Sequence, residues 1–321
     1  MDCYSCGNQI TKENSSREHI INNSVGGNLV SSELLCKKCN SEFGDTIDAE
    51  LSGQLAEISS LLGVNRDRGA AEPRIKMISS SGEIKEVGLK LKPYYKLRYK
   101  VKGKEVVLFE TESKFAKLLK RKKEELSRKQ EVFFVESSEL PSKERFNILN
   151  RFTDENGNRK FGGRIFFRSI VKMCLNMYLF KGYDIQFCGE VIAFIKGSKE
   201  DNIHFYYFPN NYNIHELGPE EVSHIIHLRG DKQYRILYAY IELFNFENAI
   251  VVFNMDYNGP EIKETYSKDL LNNKELDKNI TIRLTRQHFE DLHLISGSFL
   301  KSYTNRYQRV LDIIGNRQMN G

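Results

Sequence analysis

The sequence predicts an α+β protein in two parts: a small N-terminal ββα module held together by clustered cysteines, then a larger, mostly antiparallel sheet region with helices. Three observations carry this. Cys3-x-x-Cys6 and Cys36-x-x-Cys39 bracket the first forty residues. Residues 89–104 alternate apolar and basic side chains at the period of a strand. Beyond residue 131, short runs rich in Tyr, Phe, Val and Ile recur between Gly, Pro, Asn and Asp. The module is placed at residues 1–58 and the α+β remainder at 59–321, with a basic part at about 74–130.

In the module, each C-x-x-C pair can form a tight knuckle that supplies two thiolates, together the four-sulfur tetrahedron that zinc favours. The 29 residues between Cys6 and Cys36 are enough for a structural unit of their own. Within them Glu18-His19 precedes the apolar pair Ile20-Ile21, and Gly26-Gly27 marks a turn, which predicts a small hairpin. After Cys39, Phe43, Ile47 and Leu51 stand beside Asp45, Asp48 and Glu50, which predicts a short amphipathic helix over 40–51. Six cysteines also admit disulfides, but paired C-x-x-C motifs without a secretory leader point to reduced, metal-binding use.

The residues Glu18-His19-Ile20-Ile21, Gly26-Gly27 and Leu35-Cys36-Lys37-Lys38-Cys39-Asn40-Ser41-Glu42-Phe43-Gly44 resemble the HNH endonuclease family, in the branch clamped by two C-x-x-C knuckles. The resemblance spans about one sixth of the chain. It implies a ββα fold with structural zinc on Cys3, Cys6, Cys36 and Cys39, and hydrolysis of DNA phosphodiesters with one catalytic Mg2+ or Mn2+, leaving a 5′-phosphate and a 3′-hydroxyl. By the same resemblance, Glu18 and Asn40 are ligands of the catalytic ion and His19 is the general base. The family's middle Asn falls on Ser31, with Asn28 three residues away, and the proline that often follows the E-H-I-I run is Asn22.

The chemistry is intelligible from the residues themselves. Phosphodiester hydrolysis needs an activated water and neutralisation of charge on the scissile phosphate. An imidazole can accept the water's proton, and a neighbouring carboxylate can hold a hard, oxygen-liganded cation. Because successive strand residues face opposite ways, Glu18 and His19 can serve one phosphate only where the strand is irregular.

Net charge is +5, but it is unevenly distributed. Residues 1–60 carry 4 basic against 9 acidic side chains, residues 61–130 carry 20 against 9, and residues 131–321 carry 24 against 25. An acidic module does not attract a polyanion by itself, so the adjoining segment is the expected nucleic-acid surface. There Lys90, Lys92, Lys96, Arg98, Lys100, Lys102 and Lys104 take even positions while Leu89, Leu91, Leu97, Tyr99 and Val101 take odd ones. This predicts a hairpin turning at Gly103 and returning over 105–109, followed by a basic helix over 113–129 that bears Lys120, Arg121, Lys122 and Lys123. The bland alternative is a solvated lysine-rich edge.

Further on, Arg164 to Phe180 has helical spacing, with Arg164, Arg168, Lys172 and Asn176 as a stripe that could line a pocket or reach phosphate but is read as a solvated face. Strands are expected over 191–195, 204–208, 224–228, 234–244 and 249–253, a long loop over 258–279, and one or two closing helices within 286–314. Cys174 and Cys188 read as core, and His204, His215, His224 and His227 as packing or surface residues. With no spanning apolar run and a polar N-terminus, a soluble, cytoplasmic protein is expected.

Three functions fit. The first is a standalone DNA nuclease of restriction, homing or mobile-element type, whose large region positions DNA. The second is a defence nuclease, such as one acting against phage, gated by a sensor domain that answers to an activating ligand, a partner protein or homo-oligomerisation. The third is a zinc-stapled nucleic-acid-binding protein without catalysis.

Overall fold

The computed structural model describes residues 2–67, 75–79, 84–87, 94–101, 104–128, 133–137, 146–149, 162–199, 203–206, 214–292 and 299–319. In chain order its elements are β1 (Glu18–His19), β2 (Val30–Ser31), α1 (Lys37–Asp45), α2 (Ile47–Gln54), α3 (Ala56–Leu62), β3 (Ile75–Ser79), β4 (Ile84–Val87), β5 (Tyr94–Val101), β6 (Lys104–Thr111), α4 (Glu112–Arg128), β7 (Phe133–Ser137) and β8 (Phe146–Leu149). They continue with α5 (Arg164–Phe180), α6 (Gly189–Lys196), β9 (His204–Tyr206), β10 (Ser223–Asp231), β11 (Ile236–Leu243), β12 (Glu247–Asn254), β13 (Ile262–Asp269), β14 (Lys274–Glu275), α7 (Arg286–Leu292) and α8 (Phe299–Met319). The chain is mixed helix and sheet, as its residues predict.

Contacts divide it into two compact units, one of Met1–Gln54, Val64–Asp67 and Gly162–Gly321, the other of Leu55–Gly63 and Arg68–Phe161. The first joins the cysteine module to the C-terminal half of the chain.

In that first unit, six antiparallel strands run in the order β14-β13-β10-β11-β12-β9. β10, β11 and β12 are buried almost throughout, so they read as continuous apolar runs and not as an alternation. On one face Ile225, Tyr238, Tyr240 and Ile250 pack with Ile280, Ile282, Leu284 and Phe289. Helix α5 packs against β10 and β11 and also against α2, which ties the module to the sheet. Cys174 and Cys188 are fully buried in this core.

Two expectations of local structure are corrected. Residues 191–195 are helical, within α6, because Val191, Phe194 and Ile195 bury one face at i, i+3 and i+4 before Gly197 ends the helix at φ 78°. The polar tract 258–279 is no loop: β13 pairs with β10 over eight residues and β14 pairs with β13, so tertiary pairing outweighs a polar composition. The expected single helix over 40–51 is divided at Thr46 into α1 and α2, with Phe43, Ile47 and Leu51 buried as its period requires. The closing helices are α7 and α8.

In the second unit, β4-β3-β8 and β6-β5-β7 are two small antiparallel sheets. Leu97, Tyr99 and Phe115 form a core between β5 and α4, while Lys100 is exposed, which is the alternation expected of the hairpin.

The sheet also grips the module's loop. Lys268 Nζ donates to Gly26 O (2.9 Å), and the buried His224 donates from Nε2 to Val25 O (2.8 Å) while its Nδ1 accepts the Phe244 N–H (3.1 Å). Only a neutral imidazole can do both. Burial pushes the His224 pKa down to about 4. The unfolded chain takes up this proton near pH 6.5, so the stability is full above that value and is lost as pH falls toward about 4, to a total of about 3 kcal/mol. Urea titrations between pH 7 and 4.5 should therefore show a steeper acid loss for wild type than for His224→Gln, which can donate and accept but cannot titrate. Equal slopes would show that the ring is not held neutral.

Candidate active site

The site begins with the knuckles. In the first, Gly7 N–H donates to Cys3 O (2.8 Å) with Gly7 at φ 73°, which closes the turn around Cys6. In the second, Cys36 caps α1 and Cys39 lies in its first turn. The four sulfurs lie within 4.8 Å of one another. Thiolates about 2.3 Å from a tetrahedral zinc stand about 3.8 Å apart, and Cys6 Sγ and Cys36 Sγ are separated by 3.8 Å. The Cys39 backbone N–H is the main influence drawing the Cys36 thiol down to about 7, toward thiolate. Four sulfurs so placed can bind zinc.

Between the knuckles, β1 and β2 pair with Glu18 opposite Ser31 and His19 opposite Val30. Gly26 and Gly27 make the turn for different reasons. Gly26 sits at φ 97°, and a Cβ on Gly27 would fall 1.8 Å from Ile21 O. The strand ends at His19, so the backbone leaves regular geometry directly after the Glu18-His19 pair. Both side chains line a cleft of about 200 Å³, together with Asn22, Asn23, Asn40, Gly44, Asp48, Ser52, Lys172 and Met173. That is below the size of pockets that enclose organic ligands and suits an ion and a phosphate group. Carboxylates and carboxamides predominate among its polar groups, the donor set of a hard divalent cation.

Ser31 is not at the cleft: its Oγ accepts the Glu33 N–H (3.2 Å). His19 has another partner, which spacing could not reveal. Its Nε2 lies 3.1 Å from Asp67 Oδ2, and Asp67 also meets Arg17 (3.5 Å). An ionised carboxylate can only accept, so in the neutral ring this contact puts the hydrogen on Nε2 and leaves Nδ1 the lone pair.

The largest correction concerns α5. Arg164 is exposed and Arg168 partly so, but Lys172 is 3% exposed and Asn176 is fully buried, so the second half of the stripe read as solvated turns inward. Lys172 Nζ reaches Glu18 Oε1 (2.7 Å) and Asp48 Oδ2 (2.5 Å). Ser169 Oγ donates to Asp48 Oδ1 (2.7 Å), and Asn176 Nδ2 donates to Glu18 Oε1 (2.7 Å) and His19 O (3.3 Å). Asn176 Oδ1 in turn accepts from Tyr4 Oη (3.0 Å), in the first knuckle. Burial opposes the charge on Lys172, but Asp48 and Glu18 outweigh it and hold its pKa above the ordinary value. The signal was present in the spacing 172, 176 on an apolar helix.

Of the basic residues singled out for nucleic acid, Lys90, Lys92 and Lys102 lie outside the described residues, as does the side chain of Lys96. Lys100, Lys120, Arg121 and Lys123 are exposed. Arg98 faces Glu105 (3.9 Å), and Lys122 pairs with Glu125 (2.7 Å) above the Tyr99 ring.

Removing one partner of a buried ion cluster strands the others. Lys172→Met should therefore cost about 3–5 kcal/mol in urea unfolding, and Glu18→Gln with Asp48→Asn in the same chain should recover most of it. A loss below about 1 kcal/mol would mean that the cluster is not charged and buried as described.

Residues 3–56 match the family model of the HNH endonucleases. No curated protein and no solved structure matches the chain. Among the described residues, no helix is long and apolar enough to cross a membrane. With the Glu18-His19 hairpin, the helix that begins at the second knuckle and the four clustered cysteines all inside the matched segment, the N-terminal module is a domain of the HNH endonuclease family.

Proposed function

We propose that this chain is a metal-dependent endonuclease that hydrolyses DNA phosphodiester bonds in the cleft lined by Glu18, His19 and Asn40. The observation that carries the reading is that the Glu18-His19 pair and Asn40, 21 positions further on, line one small cleft in the segment that matches the nuclease family. In this reading residues 1–58 are the catalytic module, Cys3, Cys6, Cys36 and Cys39 hold a structural zinc, and Glu18 and Asn40 hold one Mg2+ or Mn2+. Ser31, opposite Glu18 in the hairpin, contributes through β2 and not through its hydroxyl.

When bound, the divalent ion supplies positive charge to the scissile phosphate and the leaving oxygen. His19 Nδ1 takes a proton from the attacking water, while Asp67 holds the ring by Nε2–H and stabilises the imidazolium that results. Asn40, in the first turn of α1, presents its carboxamide to the same cleft. Residues 74–130, with Lys100, Lys120, Arg121 and Lys123 exposed, supply sequence-tolerant phosphate contacts. The C-terminal half belongs to the same compact unit as the module, which supports a constitutive nuclease over one released by a separate sensor domain.

The test is supercoiled plasmid with wild type and His19→Ala, in Mg2+, Mn2+ and chelator. Wild type should nick or linearise DNA only with metal, and His19→Ala should be slower by about 10²–10⁴ while keeping its zinc. Equal cleavage by both removes His19 as base. Cleavage that starts only on adding an activator favours the gated form, and DNA binding without cleavage favours the zinc-stapled binding protein.

Zinc has its own test. Because a structural zinc site contributes about 10 kcal/mol or more of folding free energy, Cys36→Ser should lose the metal in elemental analysis and unfold the module. A variant that stays folded without zinc would show the cluster to be dispensable.

A further inference from the structure

We infer that Asn176, on α5 and 120 positions beyond the matched segment 3–56, is a positioning residue for the carboxylate of Glu18, so that a helix from the distant half of the chain completes the module's divalent-ion site. The inference rests on the reading of Glu18 as a ligand. Glu18 belongs to a strand only two residues long, which does little to fix a side chain with three rotatable bonds. Its carboxylate is instead held from α5: Asn176 Nδ2 and Lys172 Nζ both lie 2.7 Å from the same oxygen, Oε1. That leaves Oε2 for the ion.

Asparagine is suited to this place because its amide donates and accepts at once. Nδ2 also reaches His19 O (3.3 Å), so a single side chain sets the orientation of the ligand and of the backbone that carries the base. Oδ1 takes the Tyr4 hydroxyl (3.0 Å), which links the first cysteine knuckle to the cleft. Asn176, Glu18, Lys172 and Tyr4 are buried, so their geometry is not averaged by water. Ser169 and Lys172 treat Asp48 in the same way two turns and one turn earlier, at spacings that share a helix face. Partners that orient a metal ligand typically change metal affinity by about 10–100-fold when removed.

The experiment uses the full chain with Mn2+ as probe, free ion being counted by electron paramagnetic resonance. Asn176→Leu should bind Mn2+ about 10–100-fold more weakly than wild type, with zinc content unchanged. Its kcat should fall at constant KM for DNA and recover as Mn2+ is raised. Tyr4→Phe, which loses the knuckle contact but leaves both donors on Glu18, should bind Mn2+ as wild type does. If Asn176→Leu does not fold, Asn176→Ser is read instead, since its hydroxyl is too short to span to Glu18. Affinity within twofold of wild type in a folded, zinc-loaded variant overturns the positioning role. If Glu18→Gln binds Mn2+ as wild type does, the assignment of Glu18 as ligand has failed, and the inference falls with it for that separate reason.

Discussion

Lys172 carries a full charge into a helix that is packed along most of its length, and it is tolerable there because Glu18 and Asp48 meet its ammonium at 2.7 and 2.5 Å. Such a cluster is costly to assemble and more costly to break, so its members constrain one another. Glu18 comes from the hairpin, Asp48 from α2 and Lys172 from α5. The three elements therefore settle together, and the module cannot keep its own acidic residues in place without a helix that begins more than a hundred residues later. This is the physical reason that contacts group Met1–Gln54 with Gly162–Gly321.

The loop after His19 is held by the same logic from another direction. Its backbone carbonyls at Val25 and Gly26 face buried donors on β10 and β13, so the peptide groups exposed by the tight Gly26-Gly27 turn are satisfied by protein and not by water. Met173 adds a contact to the Asn22 N–H (3.5 Å). In this chain Asn22 takes the place where the related pattern often has proline, and it caps the short turn over 23–25 through its side chain instead of through a fixed φ. A polar cap and two donors from a sheet substitute for ring geometry.

How far all this could be read in advance follows from the range of each interaction. The knuckles, the hairpin, the buried face of α1 and α2, and the β5 alternation rest on contacts close in sequence, where period and turn residues are informative. The strands β10 to β12 were legible as apolar runs for a related reason, that they are buried on both faces. β13 was not, since Lys263, Glu264, Lys268 and Asp269 are tolerated only because β10 lies beside them. Asp48 could not be assigned to the cleft, nor Asp67 to His19, because nothing local marks them. Lys172 and Asn176 are the instructive pair. A polar stripe on a helix whose other positions are apolar reads as solvated by default, yet where the helix is enclosed, from Ser169 to Tyr178, its polar positions must turn toward something polar. The neighbouring module provided it.

That placement also bears on how an acidic module could accept a polyanion. Two carboxyl groups and one ammonium meet at the cleft, so Lys172 offsets part of the acidic ligand set. In the proposed mechanism a divalent ion would add positive charge to this cleft, so that a phosphate can be received without the surrounding residues 1–60, at −5, having to change. A lysine that neutralises part of the ligand set weakens the pull on a free ion and, by the same charge, lowers the repulsion that an incoming phosphate would meet there.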